Sequence, residues 1–384
     1  MKRGLTGEYV TISTAGETCR AFIPNKLPPR PPINFDSMLL EALNKASLAI
    51  GKLDGLTVIL PEPSLFLYMY IRKEAVLSSQ IEGTQSTLTD LLLFENAQIP
   101  GVPIDDVQEV SNYVAAMNYG LKVLRGGLPI SGRMLREIHA VLLSKGRGSG
   151  KSPGEYRRSQ NWIGGSRPGN ARFVPPPPNT IADCLGDLEK YIHNDSDQTP
   201  LLIKAALVHA QFETIHPFLD GNGRLGRLLI TLMLCAEKML AEPILYLSLY
   251  FKSNRDAYYD NLQRVRIEGE WEEWLLFFLT GVIETAEQAV STARGLHALL
   301  QKDETRLQDY KRKSGSLIKI HKYLQLHPLS SISRISAGVH LSFPTVKSAI
   351  DELVRLDILR ELTGKERNRL YAYKEYIDIL NSGT

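Results

Sequence analysis

Two strongly apolar segments joined by a short polar loop constrain the fold of this chain more than any other feature. Segment 200–212 is apolar on nearly every face, and segment 225–240 is again strongly apolar. Helices of this kind must be buried on all sides, so both are predicted to lie at the centre of a mainly helical domain. The loop between them follows the pattern H-P-F-x-D-G-N-G-R-x-x-R, from His216 to Arg227. So many polar groups between two buried helices predict a functional site.

The residues of this loop are those of an anion site. Gly221 and Gly223 allow positive φ and close backbone approach, so successive N–H groups can point towards one bound group. A helix that begins near Gly223 adds its positive N-terminal end, where phosphates bind readily. Arg224 and Arg227, on the first turn of that helix, can form charge-assisted hydrogen bonds to phosphate oxygens. The sequence therefore predicts phosphate chemistry or nucleotide transfer.

Two further side chains of the loop add metal binding and proton transfer. Asp220 would repel a bare phosphate, and Mg²⁺ that bridges its carboxylate to phosphate oxygens removes this conflict. His216 is the one group of the loop able to exchange a proton near neutral pH. The alternative is a structural helix–loop–helix turn with satisfied charges. The number of polar groups in so short a stretch favours a chemical site.

The pattern from His216 to Arg227 resembles the signature of Fic-domain proteins, which typically transfer AMP from ATP to a hydroxyl side chain of a target protein. The match is complete at every specified position. Kinase-like members of that group resemble the pattern with Lys where this chain has Gly223, so the glycine favours AMP transfer. The resemblance extends over about residues 36 to 285 and is strongest over 200–230.

The resemblance also implies a role for each residue of the signature. His216 would deprotonate the target hydroxyl, and Asp220 would hold Mg²⁺. The backbone of 220–223, together with Asn222, would cradle the α- and β-phosphates, and the two arginines would hold the β- and γ-phosphates. The implied nucleotide-binding residues of the signature are Asp220, Gly221, Asn222, Gly223, Arg224, Leu225, Gly226 and Arg227.

A helix predicted over 63–83, with Gly83 as its C-cap, carries a second motif. Glu82 is unfavourably placed on it, because a carboxylate in the last turn faces the negative end of the helix dipole, so an arginine partner is expected. The pattern S-x-x-x-E-G that begins at Ser78 resembles the inhibitory motif of many Fic proteins. There the glutamate pairs with the second arginine of the signature, here Arg227, and stops the γ-phosphate of ATP from docking productively. The alternative is a solvated glutamate at a helix end.

Two short strands around a glycine-containing turn are predicted over 161–174, in an otherwise helical chain. They resemble the flap of Fic proteins, which aligns the target by main-chain pairing. By this resemblance Ile163 and Gly164 lie over the nucleotide, and the target hydroxyl docks at the flap. Tyr258 and Tyr259 match a paired aromatic that lies beside adenine in Fic proteins, with core packing as the alternative for one or both.

Three other features bear on how far the predicted site extends. Arg266 departs from relatives that carry Asn near this position, which bears on the adenine contacts. The segment 146–152 reads GRGSGKS but is not a P-loop, because Lys145 stands where the first glycine should be. His139, on a helix predicted over 131–145, is expected to be a packed, hydrogen-bonded core histidine.

The segment 315–384 has its own pattern of elements. Three helices, the third beginning at Ser342, precede a β-hairpin whose strands, 358–361 and 369–373, flank the sequence TGKERN. This is the order of a winged helix, which binds DNA in some proteins and other proteins in many. The side chains that could contact nucleic acid are Ser342, Thr345, Lys347, Lys365, Arg367 and Arg369.

Length and composition limit the expected number of domains, the class of protein and its location. A length of 384 residues suggests two or three domains, and 43% hydrophobic with 23% charged residues is ordinary for a soluble globular protein. The net charge of +3 does not by itself indicate nucleic acid. Three scattered cysteines fit reduced thiols, and neither a signal peptide nor a membrane span is evident. The protein is therefore expected in the cytoplasm, with no membrane partner.

The predicted fold class is mainly α, with a Fic-type helical core, a β-hairpin flap and a small C-terminal winged-helix (α+β) domain. Residues 1–36, Pro-rich towards their end, are expected to form an extended arm. The predicted parts are an N-terminal arm and inhibitory region 1–110, a catalytic core 111–290, a helical linker 291–314 and a winged-helix domain 315–384.

The resemblance implies a protein adenylyltransferase that modifies Ser, Thr or Tyr hydroxyls of targets and of itself, releases pyrophosphate, and is autoinhibited by Glu82. The alternatives are a nucleotide-sensing DNA-binding regulator, and removal of AMP or transfer of another nucleotide by the same site. The predicted partners are ATP, with Mg²⁺ as cofactor, and a target protein at the flap. DNA binding by 315–384 and a homodimer are left open.

Overall fold

The computed structural model of the chain describes residues 1–59, 63–96, 102–194, 196–308, 314–364 and 368–382. Within these ranges the chain is mainly helical with short antiparallel strands, as predicted, and no helix there has both the length and the apolar character of a membrane span.

The chain begins with strands β1 (Gly7–Thr14) and β2 (Glu17–Pro24). The next helices are α1 (Ser37–Ile59), α2 (Pro63–Ile81), α3 (Leu88–Glu95), α4 (Ile104–Arg125), α5 (Gly132–Leu142) and α6 (Ile181–Ile192). They are followed by α7 (Leu201–Ile215), α8 (Asn222–Ala236), α9 (Ser248–Ser253), α10 (Arg255–Glu268) and α11 (Trp271–Gln308). The C-terminal elements are α12 (Ser314–Leu326), β3 (Leu329–Ser331), α13 (Ile332–Val339), α14 (Phe343–Arg355), β4 (Leu359–Glu361), β5 (Leu370–Tyr373) and α15 (Lys374–Asn381).

The α7–α8 pair lies at the centre of the fold, as its apolar sequence predicted. Nearly every residue of both helices is buried. Helix α7 ends at Ile215, because His216 adopts the left-handed backbone conformation with φ 49° and ψ 59°. Helix α8 begins at Asn222, one residue before the predicted start, and Gly221 precedes it with φ 78°, a conformation that glycine adopts at no steric cost. These two left-handed residues turn the chain sharply between the buried helices.

The other helices bring distant segments of the chain to this pair. Helices α2, α4 and α5 pack against α8, and α6, α10 and α11 pack against α7. One connected apolar core runs from α1 to α15. Any group on the inner faces of these helices can therefore reach the signature loop.

Residues 1–36 differ from the predicted extended arm, because residues 7–24, half of the segment, form a β-hairpin. Strands β1 and β2 pair in antiparallel register along their whole length. Ala15 and Gly16 between them have φ 51° and 76°, the geometry of a two-residue type I′ turn that suits the twist of paired strands. The sequence signal was the alternation of β-branched residues before this Ala-Gly pair.

The three helices and two strands predicted in the C-terminal part are present, and β3 and α15 are two elements that were not predicted. Helix α14 begins at Phe343, and the hydroxyl of Ser342 caps it. Strands β3, β5 and β4 form an antiparallel sheet with β5 in the middle. The winged-helix assignment of this part stays a prediction, and Lys365 and Arg367 lie outside the described residues.

Helix α11 runs without interruption across residue 290, the predicted boundary between the catalytic core and the linker. The predicted linker also includes residues 309–313, which lie outside the described ranges. The domain ranges stay predictions.

Candidate active site

His216 directly follows α7, and its N–H still donates to the Phe212 carbonyl at 2.9 Å. Its side chain is half-buried, and the Nδ1 atom is buried without a hydrogen-bond partner among the described residues. Burial lowers the pKa of the imidazole to about 3, and the charges of Arg157 and Arg266 act in the same direction. The imidazole is therefore neutral at physiological pH and able to accept a proton.

The side chain of Asn222 closes the loop between His216 and α8. Its Oδ1 accepts a hydrogen bond from the Phe218 N–H, and its Nδ2 donates to the Phe218 carbonyl, both at 2.9 Å. The first N–H groups of α8 have no carbonyl partner within the helix, as at any helix start. The backbone of this turn therefore lies where the anion cradle was predicted, and anion binding itself stays a prediction. The amide of Asn222, which was expected to share in the cradle, is instead committed to the loop.

Two carboxylates hold Arg224 beside this turn. Its Nη1 donates to Oε2 of Glu109 on α4 at 2.9 Å, and its Nη2 donates to Oδ1 of Asp220 at 3.2 Å. The side chains of Arg224 and Glu109 are each only 3% exposed. The structure therefore fixes one positive charge at the start of α8. Sequence reasoning missed Glu109, because no motif surrounds it.

The end of α2 binds Arg227, so the predicted contact with the second motif is present. Nη2 of Arg227 donates to Oε1 of Glu82 at 2.6 Å and to the Ser78 carbonyl at 2.9 Å. Its Nε donates to Oγ of Ser78, also at 2.9 Å, and Ser78 is completely buried. Partial burial raises the pKa of Glu82, but the charge and the hydrogen bond of Arg227, together with the charge of Arg224, hold that pKa below its ordinary value. Glu82 is therefore an anion that lies against Arg227, beside the predicted phosphate cradle.

The glycines of the signature allow these close approaches. A Cβ atom at Gly223 would lie 2.2 Å from Oε1 of Glu82, so a side chain there would displace the glutamate. A Cβ atom at Gly226 would lie 2.5 Å from Oε1 of Glu213, where α8 meets α7. Leu225 is completely buried. Nucleotide contacts of Leu225 and Gly226 stay predictions.

His139 on α5 is a packed, hydrogen-bonded core histidine, as predicted, but it also supports the site. It is completely buried, and its ring stacks on Phe218 at 3.8 Å between centroids. The Gly154 N–H donates to Nδ1 at 2.8 Å, so Nε2 carries the proton and donates to the Asp220 carbonyl at 3.0 Å. His139 thereby fixes the backbone of the predicted metal ligand.

We expect His139→Phe to lower the stability of the fold at neutral pH. We also expect the stability of this variant to decrease less than that of the wild type when the pH is lowered. Burial lowers the pKa of His139 to about 4 in the fold, against an ordinary value of 6.5. The unfolded chain binds this proton more readily, so the stabilisation is fully present above pH 6.5 and is lost as pH falls towards 4. Phenylalanine also leaves the Gly154 N–H and the Asp220 carbonyl unpaired, at about 1–3 kcal/mol each.

Thermal unfolding over this pH range measures both effects, with the half-exposed His297→Phe as the matched control. We expect the midpoint of His139→Phe to be lower at neutral pH and to fall less on acidification. A variant that follows the wild-type curve throughout would contradict this role.

The flap is a loop with one bridged residue pair, not the two predicted strands. Ile163 and Phe173 exchange backbone hydrogen bonds of 2.8 and 3.1 Å. The N–H of Arg172 donates to the Gly164 carbonyl. Gly164 and Gly165 have φ 65° and 143°, so the backbone leaves the extended conformation after Ile163. The predicted target-pairing segment is therefore short.

Other parts of the chain hold the flap in place. The N–H of Phe22 on β2 donates to the Val174 carbonyl at 2.9 Å, which attaches the N-terminal hairpin to the flap. Nδ2 of Asn161 donates to the Phe218 carbonyl at 3.1 Å, which attaches the flap to the signature loop. The sequence revealed neither link, because each joins segments far apart in the chain.

Tyr258 belongs to the core, which was the alternative to its predicted place beside adenine. It is completely buried, and its hydroxyl donates to Nε2 of His209 at 2.8 Å. Nδ1 of His209 in turn donates to the Gly226 carbonyl at 3.0 Å. Tyr259 is half-buried and stays the candidate for an adenine contact.

Arg266 connects α10, α7 and the flap. Its Nε donates to Oγ1 of Thr214 at 3.1 Å, and its Cζ lies 4.0 Å from the centroid of the Phe173 ring. Burial lowers the pKa of this guanidinium to about 10. The residue that departs from the family pattern is thus a buried cation near His216.

The glycine-rich segment 146–152 borders the site although it is not a P-loop. A Cβ atom at Gly148 would lie 2.7 Å from Cδ2 of Leu143 and 3.5 Å from Oδ2 of Asp220. Nε of Arg147 lies 3.0 Å from Oε1 of Glu109, the carboxylate that also binds Arg224. The segment was predicted to be only a connection, since its distance from the signature in sequence hides this contact.

The carboxylate of Asp220 fits the predicted Mg²⁺ site. Its side chain is 38% exposed, and Oδ1 accepts from the Gly221 N–H and from Arg224. Oδ2 accepts no hydrogen bond from the described residues, and these residues contain no cluster of three metal-binding side chains. One open carboxylate oxygen suits Mg²⁺ that is shared with substrate phosphates, because such sites need only one or two protein carboxylates.

Comparison with known proteins identifies the family of the chain. The model of the Fic/DOC family N-terminal region matches residues 40–122, and the model of the Fic/DOC family matches residues 129–234, which contain the whole signature. The chain therefore contains a Fic/DOC family N-terminal region and a Fic/DOC domain. The N-terminal Fic match contains α2 with the Glu82 motif, and the Fic match contains the flap and the signature loop.

The chain resembles curated Fic proteins over part of their length. Protein adenylyltransferase Fic of Drosophila melanogaster is 30% identical over 207 residues, which cover 52% of this chain and 39% of the relative. The protein of the same name from Drosophila willistoni is 33% identical over 157 residues, covering 40% of this chain and 30% of the relative. The chain thus spans less than half the length of these relatives.

Solved structures share the fold at low sequence identity. A Fic family protein from Desulfovibrio desulfuricans G20 has a TM-score of 0.58 and 19% identity, covering 90% of this chain and 98% of its own. Residues 134–508 of Fic-1 from C. elegans have a TM-score of 0.50 and 20% identity, covering 67% and 72% of the two chains. These similarities establish the Fic fold.

Proposed function

We propose that this Fic protein is an ATP- and Mg²⁺-dependent protein adenylyltransferase that transfers AMP to a Ser, Thr or Tyr hydroxyl of target proteins and of itself. The observation that carries the proposal is the neutral, half-buried imidazole of His216 in the loop that leads to the first turn of α8. A phosphate-binding turn alone would serve many functions. A free base beside it suits the activation of a nucleophile that attacks a bound phosphate.

In the proposed reaction the imidazole of His216 takes the proton of the target hydroxyl. The hydroxyl oxygen attacks the α-phosphorus of ATP and forms a new P–O bond, while the bond to the bridging oxygen breaks and pyrophosphate leaves with that electron pair. The negative charge of bound ATP raises the pKa of the imidazole from its low value towards the range in which a base works best. The first turn of α8 and Arg224 bind the phosphate oxygens.

Mg²⁺, when bound, neutralises phosphate charge, and Asp220 would hold it through Oδ2. Removal of this ligand is expected to be costly. In a Glu82→Gly background, Asp220→Asn should reduce labelling from ATP by on the order of 100-fold and weaken its response to added Mg²⁺. The exposed Asp183→Asn is the matched control. Full activity of Asp220→Asn at unchanged Mg²⁺ dependence would contradict the assignment.

We also propose that Glu82 inhibits the enzyme. Its carboxylate occupies Nη2 of Arg227, one of the groups proposed to bind the outer phosphates of ATP. A γ-phosphate in the same place would meet a like charge, so ATP would bind in a non-productive position.

The same kinds of experiment also test the other predicted activities and partners. Transfer from UTP or GTP, or release of AMP from modified protein, would indicate another reaction of this site. Salt-dependent DNA binding by the full chain, without transfer, would favour a nucleotide-sensing regulator. A homodimer stays a prediction to be tested by light scattering.

A further inference from the structure

We infer that Arg157 is a positioning residue that holds the flap and His216 in one fixed arrangement, so that a target aligned by the flap meets the base. This inference rests on the proposed transfer function. Neither the signature nor the inhibitory motif includes Arg157, which lies just before the flap.

Arg157 binds the backbone on both sides of the site. Its Nε donates to the His216 carbonyl at 2.9 Å, and its own N–H donates to the Pro217 carbonyl at 2.9 Å. Its Nη2 donates to the Pro176 carbonyl at 2.6 Å, and its Nη1 to the Ser159 carbonyl at 3.4 Å. One side chain thus joins the start of the signature loop to both ends of the flap.

The environment of Arg157 is unusual for an arginine. The residue is only 2% exposed, and among the described residues no carboxylate pairs with it. Burial lowers the pKa of its guanidinium to about 10, so it still carries its charge at neutral pH. Burying an unpaired cation is costly, and here only backbone carbonyls compensate it. An apolar side chain would avoid this cost, so a purely space-filling role does not explain the residue.

The contact with His216 matters because of the backbone conformation there. A residue other than glycine in the left-handed region is uncommon and persists only when its surroundings hold it. The bond from Nε of Arg157 satisfies the His216 carbonyl in that conformation. The bond from Asn161 to the Phe218 carbonyl adds a second attachment on the same side. The flap and the base therefore cannot shift independently.

The charge of Arg157 has a second effect on His216. Arg157 and Arg266 both disfavour a protonated imidazole, whereas the carboxylate of Glu82 favours it. Of these groups, Arg157 is bonded directly to the His216 backbone. Its position therefore both orients the imidazole and keeps it free to accept a proton.

Two substitutions separate these effects. Arg157→Gln removes the charge and the forked guanidinium, whereas Arg157→Lys keeps a charge but cannot reach several carbonyls at once. The neighbouring Arg158 is exposed, so Arg158→Gln is a matched control. Each variant is made in the full chain with Glu82→Gly. Transfer kinetics and ATP affinity are measured in this background. The same Arg157 and Arg158 variants are also made in the chain that keeps Glu82, and ¹⁵N NMR follows the titration of His216 there.

We expect Arg157→Gln to lower kcat by about 100-fold with ATP affinity unchanged, since a small displacement of a catalytic group has effects of this size. The His216 titration should move to higher pH in Arg157→Gln. In Arg157→Lys it should stay near the parent value while kcat still falls. Arg158→Gln should match the parent in every measurement.

Unchanged kcat and unchanged His216 titration in both Arg157 variants would overturn the inference. If Arg157→Gln does not fold, Arg157→Lys decides, because parent-like kcat in that variant would equally overturn it. If the Glu82→Gly parent itself transfers nothing, the proposed function fails. The NMR titration then still decides whether Arg157 controls the imidazole.

Discussion

Replacing Glu82 with glycine is expected to raise AMP transfer from ATP by on the order of 10- to 100-fold. Glu82 binds Nη2 of Arg227 at 2.6 Å and places a carboxylate where the γ-phosphate is proposed to lie. The substitution frees one N–H of that nitrogen, whose other bond is to the Ser78 carbonyl, and removes the like charge. The two bonds from Arg227 to Ser78 do not involve Glu82, so the guanidinium should keep its position. The increase should therefore come from productive binding of ATP.

Incorporation of α-labelled ATP into the chain and into a protein extract, with Mg²⁺, measures this effect. Gln85 is an exposed residue just after the same helix, so Gln85→Ala controls for a general destabilisation of this region. ATP affinity is measured alongside, because the account expects a change in productive geometry even where overall affinity changes little. Equal labelling of wild type and Glu82→Gly, with ATP bound to both, would contradict an inhibitory role of Glu82.

The second large effect is expected from His216→Ala in the Glu82→Gly background. Loss of a general base typically reduces a rate by about 10²–10⁴-fold. ATP affinity should be preserved, because the cradle is formed by the first turn of α8 and by arginines that do not bond to His216. His297→Ala, a half-exposed histidine on α11, is the matched control. Transfer that survives in His216→Ala at the parent rate would remove this residue from the mechanism.

The central part of the fold could be predicted because its signals are local. Helices that are apolar on every face must be buried, so the sequence of segment 200–227 indicated its place at the centre of the fold. The glycine-rich turn at a helix start predicts anion chemistry, which stays a prediction. The contact of Glu82 with Arg227 was predictable for a related reason. A carboxylate at the end of a helix needs a cation, and the resemblance indicated which one.

The supporting residues could not be predicted, because their partners are distant in sequence. The supporting side chains lie outside the signature: Glu109 is on α4, His139 is on α5, and Arg157 lies just before the flap. Nothing beside them in the sequence indicates a role. His139 was correctly assigned to the core, but its bond to the Asp220 carbonyl requires the folded arrangement. For a lone buried polar residue, the sequence can indicate burial but not the partner.

Two sequence interpretations were wrong for physical reasons that the structure makes clear. The predicted strands of the flap are limited to one bridge, because Gly164 and Gly165 interrupt the extended backbone. Half of the predicted arm over 1–36 is a hairpin, since alternating β-branched residues precede a turn at Ala15 and Gly16, and only the part after Pro24 is proline-rich. For Tyr258 the alternative of core packing holds, since its hydroxyl donates to the buried His209.

The most direct test of the account compares two labels of ATP on the Glu82→Gly protein. The chain is incubated with Mg²⁺ and either α-labelled or γ-labelled ATP, and the modified residue is then identified by mass spectrometry. The account predicts that the α-label is retained on a Ser, Thr or Tyr side chain as an adenylyl group, and that the γ-label leaves with pyrophosphate. Retention of the γ-label, or no label from either ATP although ATP binds, would contradict AMP transfer by this site.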